Sequence, residues 1–358
     1  MKKQIQAIQS YTPEEPLSEV KKRYGIKKLV RLSANENPYG TSKQVKEAIL
    51  KWNFEEENRY PDGYALELRT AVAQKLKVDA KRLVFGVGLD EIIAMFSRIF
   101  LEAEDEVLVT NPTFSEYALH AEIEDAKVIQ IDCNEQNGKY DFNGFLKKIT
   151  SKTKIIWICN PNNPTGTYEE VSDIKNFVEK VPRSVLVLID EAYIDYATDS
   201  EESSALKLVE EFENVAVLRT FSKVYGLANY RVGYAFVSEK VASYMEAARL
   251  PYNLSSIAQI AALAGLKDQH FIAESIEKNK RERIKWESFL IDNKIKFYHS
   301  QANFVFFRCP NATALADKLL TNGYQVRRGL RPDWLRVTIG EAEDNLNIQK
   351  IMLLEKSK

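Results

Sequence analysis

The chain has 358 residues, more than one hydrophobic core usually supports, which predicts two domains sharing a cleft. Its 45% apolar and 28% charged residues exclude a disordered or fibrous protein, and 50 Lys+Arg against 51 Asp+Glu give no reason to expect a nucleic acid or a membrane surface as partner. Three scattered cysteines (Cys133, Cys159, Cys309) and three scattered histidines (His120, His270, His299) form neither a disulfide framework nor a metal site.

The first residues carry charge with no apolar segment behind them, and no apolar run nears the ~20 residues that span a bilayer, so a cytoplasmic location is expected. Residues 1–30 read as a polar arm with Pro13 and Pro16. From Leu66 a helix–strand alternation begins: helix Leu66–Leu76, strand Leu83–Val87, helix Leu89–Phe100 with apolar residues at helical spacing. Short Val- and Ile-rich strands are predicted at Glu106–Thr110, Lys127–Ile131, Lys154–Cys159, Ser184–Asp190, Asn214–Thr220 and Tyr234–Val237. They suit a mostly parallel sheet buried on both faces, hence an α/β fold. After about residue 250 come a long charged helix (Phe271–Ile291), strands near Asn303–Arg308 and Trp334–Ile339, and a closing helix Glu341–Leu354. The expected division is an arm and lid over 1–40, a large domain over 41–250, and a small α+β domain over 251–358 completed by the N-terminal segment.

Open α/β sheets bind ligands at the carboxyl ends of their strands, so the residues that follow each strand matter most. After Lys154–Cys159 stands Asn160-Pro161-Asn162-Asn163-Pro164-Thr165-Gly166, which a tight turn alone would also explain. The next strand closes in Asp190-Glu191-Ala192-Tyr193, where the acid is either a helix cap or a cleft carboxylate. The following one ends in Thr220-Phe221-Ser222-Lys223, with Arg231 further on. A lone lysine there is usually solvated, but the three strand ends together supply what pyridoxal phosphate (PLP) chemistry needs. An amine forms a Schiff base, and a carboxylate keeps the ring nitrogen protonated so that the ring accepts electrons. Unlike charges within ~4–6 Å favour each other's charged forms. The turn Gly86-Val87-Gly88-Leu89-Asp90-Glu91 lacks the third glycine of a dinucleotide fingerprint, yet its backbone N–H groups at a helix start can hold a phosphate. Helix-dipole complementation alone would also account for Asp90 and Glu91.

These four elements resemble the fold-type-I PLP aminotransferases. Ser33-Ala34-Asn35-Glu36-Asn37-Pro38-Tyr39-Gly40, Arg59-Tyr60-Pro61, Pro112-Thr113-Phe114 and Leu335-Arg336-Val337-Thr338-Ile339-Gly340 resemble the histidinol-phosphate aminotransferase family, from about Tyr11 to the C-terminus. The resemblance implies a three-layer PLP-transferase large domain and a homodimer. Lys223 would carry the cofactor and move the substrate proton, and Asp190 would face the ring nitrogen. Tyr193 and Asn163 would bond the phenolic oxygen, with Phe114 stacked on the ring. Gly88, Leu89, Asp90, Thr220, Ser222 and Arg231 would surround the phosphate, joined by Tyr60 of the other subunit. Arg327 and Arg336 would bind the anionic group of either substrate, with Tyr11 and Asn35 in a lid. A guanidinium fork suits phosphate and carboxylate alike, and Arg327, Arg328 and Arg331 also fit a solvated basic stretch. The implied reaction is ping-pong transfer between histidinol phosphate and 2-oxoglutarate. The alternatives are an aromatic amino-acid aminotransferase and an O-phosphothreonine decarboxylase; a PLP-binding regulator would need a DNA-binding module that the short arm cannot hold. The chain departs from the family in having Phe114 where tyrosine is usual and Asn229-Tyr230 before Arg231, so a bulky Tyr230 must be accommodated near the cofactor or at a dimer contact.

Overall fold

The computed structural model describes residues 3–6, 8, 15–198 and 203–356. The arm, whose sequence has no strong periodicity, contains a helix Leu17–Tyr24 that stops at left-handed Gly25, and strand β1 (Val30–Leu32) follows it. No local periodicity announces β1, because it exists through parallel pairing with a strand near the other end of the chain.

The large sheet is built from β2 (Leu83–Val87), β3 (Glu106–Asn111), β4 (Lys127–Asp132), β5 (Thr153–Cys159), β6 (Leu186–Asp190), β7 (Val215–Thr220) and β8 (Val232–Phe236). Its order is β2-β8-β7-β6-β5-β3-β4, with every pairing parallel except the two made by β8. Residues of β5, β6 and β7 are almost wholly buried, which is why they read as continuous apolar runs rather than alternating ones. β8 starts two residues before the expected Tyr234, since Val232 and Gly233 pair with Val87 and Gly86 of β2.

Two further strand pairs lie apart from this sheet. β9 (Phe304–Arg308) pairs antiparallel with β11 (Trp334–Thr338), and β10 (Tyr324–Val326) pairs parallel with β1. The helix Gln269–Asp292, capped by the Asp268 carboxylate on the Phe271 N–H, and the helix Ala342–Lys356 cover them. The hydrophobic interior is correspondingly split. The main cluster follows the large sheet, and a second gathers Leu32, Trp286, Val305, Phe307, Leu335 and Val337. Among the described residues no helix is long and apolar enough to cross a membrane.

Candidate active site

A cavity of about 580 Å³ opens where β5, β6 and β7 end. Its opposite wall comes from the loop after β1 and from the β10–β11 side. Lys223 stands in it three residues beyond β7, with Nζ donating to the Ala34 carbonyl at 3.1 Å and lying 5.6 Å from the centre of the Tyr193 ring. Burial, seconded by the positive charge of Arg336, lowers its pKa to about 8 against the pull of Glu36 and Asp90. Such an amine is neutral, and so nucleophilic, far more often at neutral pH than an ordinary lysine.

The loop that carries Lys223 is fixed by a close backbone approach. Gly226 has φ 66°, and a Cβ there would meet the Gly40 carbonyl oxygen at 2.0 Å. The Thr41 hydroxyl donates to the Gly226 carbonyl at 2.6 Å. This contact brings Ser33–Gly40 onto the lysine loop. Asn35, at φ 54°, is tied on all sides: its N–H donates to the Thr338 hydroxyl (3.0 Å), its amide Nδ2 to the Tyr193 hydroxyl (3.0 Å), and its carbonyl accepts from Asn303 (3.0 Å).

Asp190 ends β6 and is buried. One carboxylate oxygen accepts the Tyr117 hydroxyl at 2.6 Å and the other the Ala192 N–H at 2.9 Å. Tyr117 lies flat on Trp157, ring centres 4.4 Å apart at 8°, and meets Phe114 edge-on. Burial pushes the Asp190 carboxyl up to about 6, while the two donors and the Lys223 charge oppose it. Tyr117→Phe keeps the ring stack and deletes a donor, which raises that pKa further. A folded-state value above the unfolded ~3.9 means that folding takes up a proton, so stability falls as pH rises through 6. The variant is therefore expected to be less stable than the wild type by about 1–3 kcal/mol near pH 8, where one oxygen of the charged carboxylate lacks its donor. The gap should narrow below about pH 5. Urea unfolding at the two pH values checks this, and an equal gap at both would leave Tyr117 a packing role only.

At the glycine turn the two acids have separate tasks. Glu91 accepts the Val87 N–H (2.6 Å) and an Asn253 amide N–H (2.8 Å), closing the helix start. Asp90 pairs with Arg231 at 2.8 Å. Gly88 has φ 71°, and a Cβ on it would lie 2.4 Å from the Arg231 guanidinium, so only glycine lets that arginine approach the helix N-terminus. Leu89, Asp90, Ser222 and Arg231 all line the cavity there. The Thr220 hydroxyl accepts the Ser222 N–H at 3.0 Å and shapes the same corner.

On the far side Arg336, from β11, is buried and donates to the Asn163 amide oxygen at 2.6 Å and to the Ser33 carbonyl. Asn163 belongs to the turn Asn160–Gly166, which Asn162 secures through Thr113, Pro112 and Thr165. Arg327 pairs through its backbone with Arg336 and lines the cavity. Arg328 instead reaches Asp317 at 2.9 Å and Arg331 the Tyr298 hydroxyl at 3.1 Å, so the basic stretch divides.

Most residues singled out from the sequence thus converge on one cleft. Phe114 lines it, as do Asn35 and Tyr193. Tyr60 does not: it is 81% exposed and stacks on Tyr252 at 4.6 Å. Tyr11 lies outside the described residues. Tyr230 packs against the main core, leaving Ala228 and Asn229 to face the cavity. Among the lining residues to which sequence reasoning gave no role are Tyr117, Arg31 and Glu36. Of these three, Tyr117 left the one signal, an aromatic shortly after Phe114 in the sequence.

The model of the family "aminotransferase class I and II" matches residues 27–350. The chain is 53% identical over 353 residues to the histidinol-phosphate aminotransferase of Limosilactobacillus fermentum, covering 98% of both chains. It is 50% identical to that of Lactiplantibacillus plantarum, covering 98% of this chain and 99% of the relative. The crystal structure of histidinol-phosphate aminotransferase from Sinorhizobium meliloti in complex with pyridoxal-5'-phosphate superposes with a TM-score of 0.88 at 23% identity, covering 99% of this chain and 98% of that one. At that identity the likeness is one of fold.

Proposed function

Because the chain belongs to the class I and II aminotransferase family, and within it to the histidinol-phosphate aminotransferases, we propose that its cleft holds pyridoxal phosphate and exchanges an amino group between L-histidinol phosphate and 2-oxoglutarate. The observation that carries this reading is Lys223, an amine lowered to about 8 at a strand end beside the buried Asp190 carboxylate. The residues fit the cofactor: a nucleophilic amine, a buried carboxylate, and a helix start whose glycine admits Arg231 where a side chain would block it. When bound, the cofactor supplies an aldehyde carbon for the lysine and a ring that accepts electrons.

The chain's own residues do the rest. Lys223 would hold the cofactor through its neutral amine and would carry the proton to and from the substrate carbon. Asp190, kept ionised by Tyr117 and Ala192, holds a proton on the ring nitrogen. Tyr193 and Asn163 orient the phenolic oxygen, and Phe114 covers the ring face. The N–H groups of Leu89 and Asp90, with Ser222 and Arg231, receive the phosphate; Gly88 and Thr220 shape that corner. Arg336 and Arg327 draw in the anionic group of either substrate, whether phosphate or carboxylate. Asn35 belongs to the lid over them.

The assembly in this proposal is a cytoplasmic homodimer whose parts are an arm (1–40), a large domain (41–250) and a small one (251–358). Exposed Tyr60, Tyr64, Leu66, Leu250 and Tyr252 support an interface, since apolar side chains grouped at a surface favour a partner. Tyr60 then completes the phosphate site of the other subunit. Cys133, Cys159 and Cys309 are free thiols, which suits a reducing compartment.

The deciding experiment follows the visible absorption of the PLP-loaded protein after separate additions of L-histidinol phosphate, L-phenylalanine and O-phospho-L-threonine. Rapid loss of the band is expected with histidinol phosphate and slow loss with the others. Equal or faster loss with phenylalanine would make the substrate an aromatic amino acid. Release of carbon dioxide from O-phospho-L-threonine with the band retained would indicate a decarboxylase, because the amino group then stays on the product. A protein that acquires no band would not hold the cofactor through Lys223.

A further inference from the structure

One charged pair in the cleft has no part in the chemistry so far. Arg31 Nε donates to Glu36 Oε2 at 2.9 Å and Arg31 Nη2 to Oε1 at 2.5 Å, a bidentate fork, and both residues line the cavity. Their side chains are 30% and 35% exposed, and a pair that wet contributes little to stability. Its position is nonetheless tightly specified. Arg31 sits in the middle of β1, in register with Gln325 of β10, two residues before Arg327. The left-handed turn at Asn35 then folds Glu36 back onto it. The Glu36 charge reaches Lys223, where it is one of those supporting the protonated amine.

A carboxylate there is a burden in a cleft that must admit glutamate and a phosphate monoester, because both arrive as anions. Two things offset it. Arg31 neutralises it toward the anions, and one substrate carries a group that wants it. An imidazole ring presents an N–H in either protonation state and becomes a cation near pH ~6.5. Resting on the substrate proposed above, we infer that Glu36 is the residue that reads the imidazole ring, accepting its N–H, while Arg31 shields Glu36 from the carboxylates of glutamate. Arg31 is then a positioning residue, and the pair sorts the two half-reactions by the charge at the far end of the substrate.

The test compares single half-reactions of the PLP-loaded wild type, Glu36→Gln and Arg31→Gln, followed by visible absorption. Three amines are used: L-histidinol phosphate, L-phenylalaninol phosphate (the same phosphate with a phenyl ring) and L-glutamate. Glu36→Gln should weaken apparent binding of histidinol phosphate about tenfold or more, the usual scale for a hydrogen bond to a charged group, and leave phenylalaninol phosphate within about twofold. Arg31→Gln should act in the other half-reaction, weakening glutamate several-fold by exposing the Glu36 charge. A Glu36→Gln loss equal for both rings, or no loss, overturns the inference and leaves the proposed function standing. A wild type that converts another amine but not histidinol phosphate overturns both, so the two failures are distinguishable.

Discussion

Lys223→Ala is expected to lower transamination from histidinol phosphate by about 10⁴-fold or more, since one substitution removes both the nucleophile and the proton carrier. The fold should survive. Among the described residues this side chain's hydrogen bond goes to the Ala34 carbonyl alone, and its removal also lifts the cost of enclosing an ammonium group. The variant should keep PLP through the remaining contacts, yet lack the visible band that a lysine-bound cofactor gives. Steady-state turnover together with an absorption spectrum checks both halves. Near-wild-type turnover would end the assignment of Lys223, whatever the spectrum showed.

Asp190→Asn should dissociate activity from stability. The amide oxygen can accept the Ala192 N–H and its NH₂ can donate to the Tyr117 oxygen, so both present contacts find a counterpart. A carboxyl already raised to about 6 by burial loses little when its charge is removed, and urea unfolding near pH 8 should match or exceed the wild type. Turnover should nevertheless fall by well over tenfold, because a neutral amide cannot hold a proton on the ring nitrogen. A loss smaller than tenfold, about 1.4 kcal/mol of barrier, would remove Asp190 from that role.

The large sheet was legible because its strands are short apolar runs bounded by turns: Leu83–Val87 and the helix Leu66–Leu76 have the expected bounds. The wall bearing Lys223 was legible for a related reason. Asn163, Asp190 and Lys223 each follow such a run closely, and parallel strands bring their ends to one line. The opposite wall was not. Whether Arg327 or Arg328 faces the cleft depends on pairing with Arg336, and β1 has no pattern of its own apart from its partner β10. Tyr117 reads as a core aromatic on a short helix, and only its packing against Trp157 aims the hydroxyl at Asp190. The Arg31–Glu36 fork needs a left-handed residue between the two, which no spacing rule predicts.

The two walls of the cleft rest on separate hydrophobic interiors, one under the seven-stranded sheet and one around Trp286 and Val305. That separation gives the protein room to change over evolutionary time. Substitutions on β1, β10 and β11 can accumulate, be tried and be discarded, while the strand ends bearing Lys223 and Asp190 stay untouched. A descendant can therefore acquire a new substrate by inheriting an old chemistry whole, while the contacts that cross the cleft, among them Lys223 with Ala34, Arg336 with Asn163 and Tyr193 with Phe304, oblige the two histories to agree.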